Sequence, residues 1–156
     1  MTQICERVFR DSLTALADNG KEVYHIKLMS NPLAFHKSPA DFLVLTTNFR
    51  YLVECKEINC RIKSEAFGFD RLTQKSALLE FNGLFPSHVS YVMLLFRLDR
   101  LDKSHCYFLP IRVFEEIMNS VGKKSLRFED LERMKMENYK LSVAPGSTFD
   151  LSRFIL

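Results

Sequence analysis

The chain has 156 residues, 47% of them hydrophobic and 26% charged, with a formal net charge of +3. That length and balance describe one ordinary globular domain spanning residues 1–156, with no low-complexity tract and enough apolar material for a single core. A non-specific electrostatic DNA binder usually carries a larger excess of cations, so +3 leaves room for DNA only where acidic residues gather in one site flanked by basic ones.

Fourteen Phe and no Trp indicate a core filled mainly by phenyl rings. Cys5, Cys55, Cys60 and Cys106 lack metal-ligand spacing, and no pair forms a CxxC. Reduced thiols in a cytoplasm are the expectation. No apolar run reaches membrane-spanning length, and no signal-peptide pattern opens the chain.

Taken in order, residues 3–18 read as an amphipathic helix with Ile4, Cys5, Val8, Phe9, Leu13 and Leu16 on one stripe. Asn19-Gly20 stops it. A strand follows over residues 23–29, with Tyr24, Ile26 and Leu28 alternating against His25 and Lys27. Residues 41–46 and 50–56 form a hairpin around Thr47-Asn48. A loop covers residues 60–69. A helix runs over residues 72–82, capped by Asp70 or Thr73 and stopped by Gly83.

Residues 89–98 are the most apolar run and read as a central strand buried on both faces. Another strand spans residues 106–109. Pro110 then opens a helix over residues 111–120, ended by Gly122. A short charged helix at residues 127–137 and an irregular tail with Pro145-Gly146 complete the chain. The order implies an α/β fold, a central mixed β-sheet flanked by helices.

The hairpin carries the chemistry. Glu54 and Lys56 share one strand face, while Val53 and Cys55 point to the other. A two-residue turn at Thr47-Asn48 pairs Thr46 with Phe49 and sets Asp41 opposite Glu54. Facing side chains on one sheet face stand about 5 Å apart. Two carboxylates that close repel unless a cation or a proton joins them. The plain alternative is a solvated strand face, with Glu54 and Lys56 as a surface ion pair worth about 0.5 kcal/mol. Against it, the charges sit at the ends of the apolar runs Leu52-Val53 and Phe42 to Leu45, where a cleft borders a core.

Mg²⁺ favours oxygen ligands and is commonly held by one or two carboxylates, with water and phosphate completing its shell; Mn²⁺ is a plausible substitute. Asp41, Glu54 and the backbone carbonyl of Cys55 supply such a set. Lys56 is then placed to orient an attacking hydroxide or to meet developing phosphate charge.

Ser38-Pro39-Ala40-Asp41, a spacer, then Glu54-Cys55-Lys56 resembles the signature of the PD-(D/E)XK nucleases, with Ala40 standing between the Pro and the Asp. The resemblance extends to the RecU-like Holliday junction resolvases of bacteria and phages. It is carried by Ser38 to Phe42, by Glu54-Cys55-Lys56-Glu57, by Phe69 to Gln74, and by Lys123-Lys124-Ser125-Leu126-Arg127. It implies a restriction-endonuclease-like core and a Mg²⁺-dependent endonuclease that cuts four-way DNA junctions as a homodimer. Asp41 and Glu54 would be metal ligands and Lys56 the catalytic lysine. Glu6 would join the metal site from the first helix, and Gln74 would face it from the helix after the core.

Glu6 keeps a second reading, an i,i+4 pair with Arg10, and Gln74 that of a solvated first-turn residue. Lys37, Arg71 and Lys75 surround the expected cleft and are candidate phosphate contacts, or isolated surface cations. The resemblance allows two other functions, a nickase or restriction-like enzyme on duplex DNA and a non-catalytic DNA-binding relative. The apolar end, Phe154-Ile155-Leu156, either serves a dimer interface or covers its own core.

Overall fold

The computed structural model describes residues 3–29, 38–61, 65–144 and 146–156. In chain order the elements are α1 (Ile4–Asp18), β1 (Val23–Lys27), β2 (Phe42–Thr46), β3 (Arg50–Asn59), β4 (Phe67–Gly68), α2 (Lys75–Leu84), β5 (His88–Arg97) and β6 (His105–Pro110). Then come α3 (Ile111–Ser120), β7 (Ser125–Leu126), α4 (Phe128–Arg133), β8 (Val143–Ala144) and β9 (Thr148–Phe149).

Five strands form one sheet in the order β1-β2-β3-β5-β6. All neighbours are antiparallel except β3 and β5, which run parallel. A parallel pair needs a crossover, and the segment carrying α2 makes it. The architecture is therefore the expected one, α/β with a central mixed sheet between helices. Among the described residues, no helix is long and apolar enough to cross a membrane.

Each sheet face has its own core. Cys5, Val8, Phe9 and Leu13 of α1 pack on Phe42, Val53, Cys55, Met93 and Phe108. Complete burial of Phe9 and Leu13 stabilises by about 1.5–3 kcal/mol per side chain. On the other face, Leu78 of α2 and Phe114 and Ile117 of α3 meet Leu52, Ile58, Leu94 and Leu109. β5 lies between the two cores, with every residue from Ser90 to Phe96 buried, as an uninterrupted apolar run requires.

The hairpin register matches the expectation: Leu45 pairs with Arg50, Val44 with Tyr51, and Phe42 with Val53. Several details differ, among them the short β4–β7 pair and an α4 of only six residues. β3 continues to Asn59, and the tail closes as the β8–β9 hairpin. In α2, Gly83 lies inside the helix, and Gln74 occupies the cap position without a side-chain cap bond. The helix ends because Phe85, preceding Pro86, is forced into an extended conformation (φ −145°, ψ 153°).

The last difference concerns β1, whose facing is the reverse of its apolar alternation. His25 lies near the Phe42 ring and Lys27 pairs with Glu6, while Tyr24 and Ile26 are exposed. The ladder to β2 sets that facing, and β1 is an edge strand.

The C-terminal residues cover their own core. Ile155 is fully buried, the Phe154 ring packs edge-on to Tyr91 and Phe108, and the Leu156 N–H donates to the Tyr51 hydroxyl at 3.0 Å. Buried Ser12 of α1 ties this region down, donating to the Val8 carbonyl and accepting the Phe149 N–H at 2.9 Å.

Candidate active site

Charge enters the core along β3. Glu54 is only 1% exposed although it lies in a run of apolar neighbours. Its Oε1 meets the Lys56 ammonium at 2.7 Å, and its Oε2 is buried with no hydrogen-bond partner. A carboxylate oxygen removed from water and left unpaired is destabilising by several kcal/mol unless something positive reaches it.

Asp41 stands one residue beyond the last ladder pair of β2 and β3. Its N–H donates to the Val53 carbonyl at 3.1 Å, and its own carbonyl accepts the Leu28 N–H at 2.7 Å. Its Oδ2 accepts the Cys55 N–H at 2.8 Å, so the carboxylate is held against the β3 backbone between Glu54 and Lys56. The three residues expected to form the site are thus brought together.

The electrostatics show the crowding. Burial pushes the Glu54 carboxyl up to about 7, the negative charge of Asp41 adds to the rise, and Lys56 opposes it. Asp41 is raised too, first by burial; the Cys55 N–H draws it back, Glu6 raises it further, and Lys56 and Lys27 lower it. Both carboxyls are held high mainly by burial, with Asp41 adding to the rise at Glu54, so the site is one that a cation would relieve.

Glu6 contributes to both shifts, so it lies within electrostatic reach of the pair. Its partner is Lys27 of β1, while Arg10 pairs with Asp11. The i,i+4 reading of Glu6 is thereby replaced by a cross-element ion pair.

In the sequence Glu57 figures only as part of the Glu54-Cys55-Lys56-Glu57 stretch, with no role of its own. It joins three elements: Oε2 accepts the Cys5 N–H at the start of α1 at 3.2 Å, and Oε1 lies 2.7 Å from Arg97 Nε on β5. A carboxylate at a helix N-terminus meets unpaired N–H groups and the positive end of the helix dipole. Glu57 therefore fixes α1, and with it Glu6, over the end of β3.

The outlying candidates divide. Arg71 donates to the Glu57 carbonyl at 3.1 Å and stacks over the Phe67 ring, which places it beside Lys56. Lys75 lies 3.9 Å from Glu115 on α3. Gln74 accepts the Thr73 hydroxyl at 3.1 Å, and no hydrogen bond joins it to Asp41 or Glu54. Lys37 lies outside the described residues. Among those residues, no group of three or more His, Cys, Asp or Glu has metal-holding geometry. Any cation here would rest on two carboxylates and backbone or water oxygen, a donor set that suits Mg²⁺.

No protein-family model matches the chain, and no curated protein matches it in sequence. Among solved structures, the Holliday junction resolvase Hjc of the archaeal hyperthermophile Archaeoglobus fulgidus is similar to it. The TM-score is 0.47 and the identity 18%, over 78% of this chain and 84% of that one.

Proposed function

We propose that the protein is a Mg²⁺-dependent endodeoxyribonuclease that cuts branched DNA, in the manner of a RecU-like Holliday junction resolvase with a restriction-endonuclease-like core. One observation carries the reading. Asp41 and Glu54 crowd each other beside Lys56, and Glu54 Oε2 is buried without a partner. Asp41, Glu54 and the Cys55 carbonyl are the ligands assigned to the cation, with Mn²⁺ as a substitute. When bound, the cation supplies neutralising charge at the phosphate and acidifies a water.

The chain's own groups do the rest. Lys56, tethered to Glu54, presents an ammonium to the scissile phosphate and keeps its donors aimed before substrate arrives. Asp41 is oriented by the Cys55 N–H, so its free oxygen needs no reorganisation. Glu6 adds negative charge at the rim, and Gln74 is assigned to the substrate side of the cleft. Lys37, Arg71 and Lys75 are assigned to the DNA backbone. Symmetric cutting of a four-way junction needs two sites, which a two-fold homodimer supplies. The assigned location is the cytoplasm.

The test is cleavage of an immobile four-way junction compared with its separate linear arms, in Mg²⁺. The junction is expected to be cut at least tenfold faster. Equal rates would replace the resolvase reading with a nickase or restriction-like enzyme on duplex, and binding without cutting would indicate a non-catalytic relative.

A further inference from the structure

A second concentration of positive charge lies where α3 gives way to β7 and α4. Lys123, Lys124, Arg127 and Arg133 all stand in solvent there. Their organiser is Asp130. Its carboxylate is 2% exposed, lies 2.8 Å from the Lys123 ammonium, accepts the Arg127 N–H at 2.8 Å, and pairs with the Arg133 guanidinium. The Arg133 side chain is 74% exposed, so the anion is inside and the cation in water. One buried negative charge thereby holds two cations at the surface. Lys124 and Arg127, both exposed, add two more.

The acidic face of α4 turns another way. Phe128 stacks on His105 of β6, and Glu132, one turn later, lies 3.7 Å from the same ring. Of the charges on this short helix, Glu132 lies beside His105, and Arg133 pairs with Asp130.

The ridge is also joined to the site. β4 pairs with β7 through Gly68 and Ser125, and the Phe69 N–H donates to the Lys124 carbonyl at 3.1 Å. Two residues past Phe69, Arg71 holds the carbonyl of Glu57, the residue after Lys56. The segments that carry Lys56, Arg71 and Lys124 are thus joined in turn, and Lys123, Arg127 and Arg133 gather around Asp130.

We infer that this ridge holds the phosphate backbone of a DNA arm as it leaves the active site; the inference rests on the nuclease reading above. Arg and Lys in a row fit that partner, because phosphate contacts position a duplex without reading its sequence. Such contacts make binding fall with salt in proportion to their number.

The test is binding of a labelled duplex and a labelled junction to the full-length protein in EDTA, over a salt series. Lys124→Ala/Arg127→Ala is compared with wild type and with Lys21→Ala/Arg50→Ala at the opposite end of β3. Removing two phosphate contacts is expected to flatten the slope of log affinity against log salt by about 1.8 and weaken binding more than about tenfold at 0.1 M salt. The control pair should change neither. Lys124→Gln/Arg127→Gln guards against misfolding and should show the same loss. Unchanged affinity and slope in a ridge variant, while the wild type still cuts DNA, would overturn the ridge and leave the nuclease standing. A wild type that neither binds nor cuts would remove both.

Discussion

Glu54 is the most deeply buried charge of the candidate site, and its pH behaviour follows from its surroundings. Burial and Asp41 lift its carboxyl from an ordinary 4.5 to about 7 in the folded protein. Between those pH values the folded chain keeps a proton that the unfolded chain has released, so stability falls as pH rises from 4.5 to 7 and then levels. Glu54→Gln removes that penalty. In EDTA it is expected to stabilise the protein at pH 8 by about 3 kcal/mol, read as a higher Tm, with the gain shrinking toward pH 5. A variant less stable than wild type at pH 8 would mean that the Lys56 pair outweighs the burial. At this scale the sequence was informative where residues are local. Asp41, Glu54 and Lys56 meet because a two-residue turn leaves the hairpin one register. Glu6 lies within electrostatic reach of the pair, but its ion-pair partner was not legible, since Lys27 comes from a strand whose facing only the assembled sheet determines.

Elements show where local signals compete. Gly83 reads as a helix stop, yet α2 runs through it, because the restriction that Pro86 imposes on Phe85 comes one residue after the helix. Gly83 has no positive φ, and a Cβ added there meets nothing within 4 Å. Gly83→Ala is therefore expected to stabilise by about 0.5–1 kcal/mol, measured by urea denaturation with an unchanged m-value. Destabilisation would show that the position is not helical in solution. β1 gives the complementary lesson. Its apolar alternation was plain, but an edge strand is not covered on both faces: Val23 and His25 are half-buried, His25 beside the Phe42 ring, while exposed Lys27 reaches Glu6. The role of Glu57 was hidden for a related reason: its bond to the start of α1 spans 52 positions of sequence, and no periodicity records such a contact.

For the whole molecule, the elements and the α/β class were legible, because the apolar periods of α1, β5 and α3 are strong. The strand order was not. Nothing local states that β3 pairs parallel with β5 and places Arg97 against Glu57. Yet this pairing builds the site's floor, since it buries β3 and so desolvates Glu54. The reaction proposed for Asp41, Glu54 and Lys56 is the cleavage of DNA. The direct measurement is the single-turnover rate of DNA cleavage in Mg²⁺ by the wild type and by Lys56→Ala, each verified as folded by circular dichroism. The account predicts that the wild type cuts and that the variant is slower by about a hundredfold or more, with DNA binding retained. A Lys56→Ala protein that cuts as fast as the wild type would contradict it.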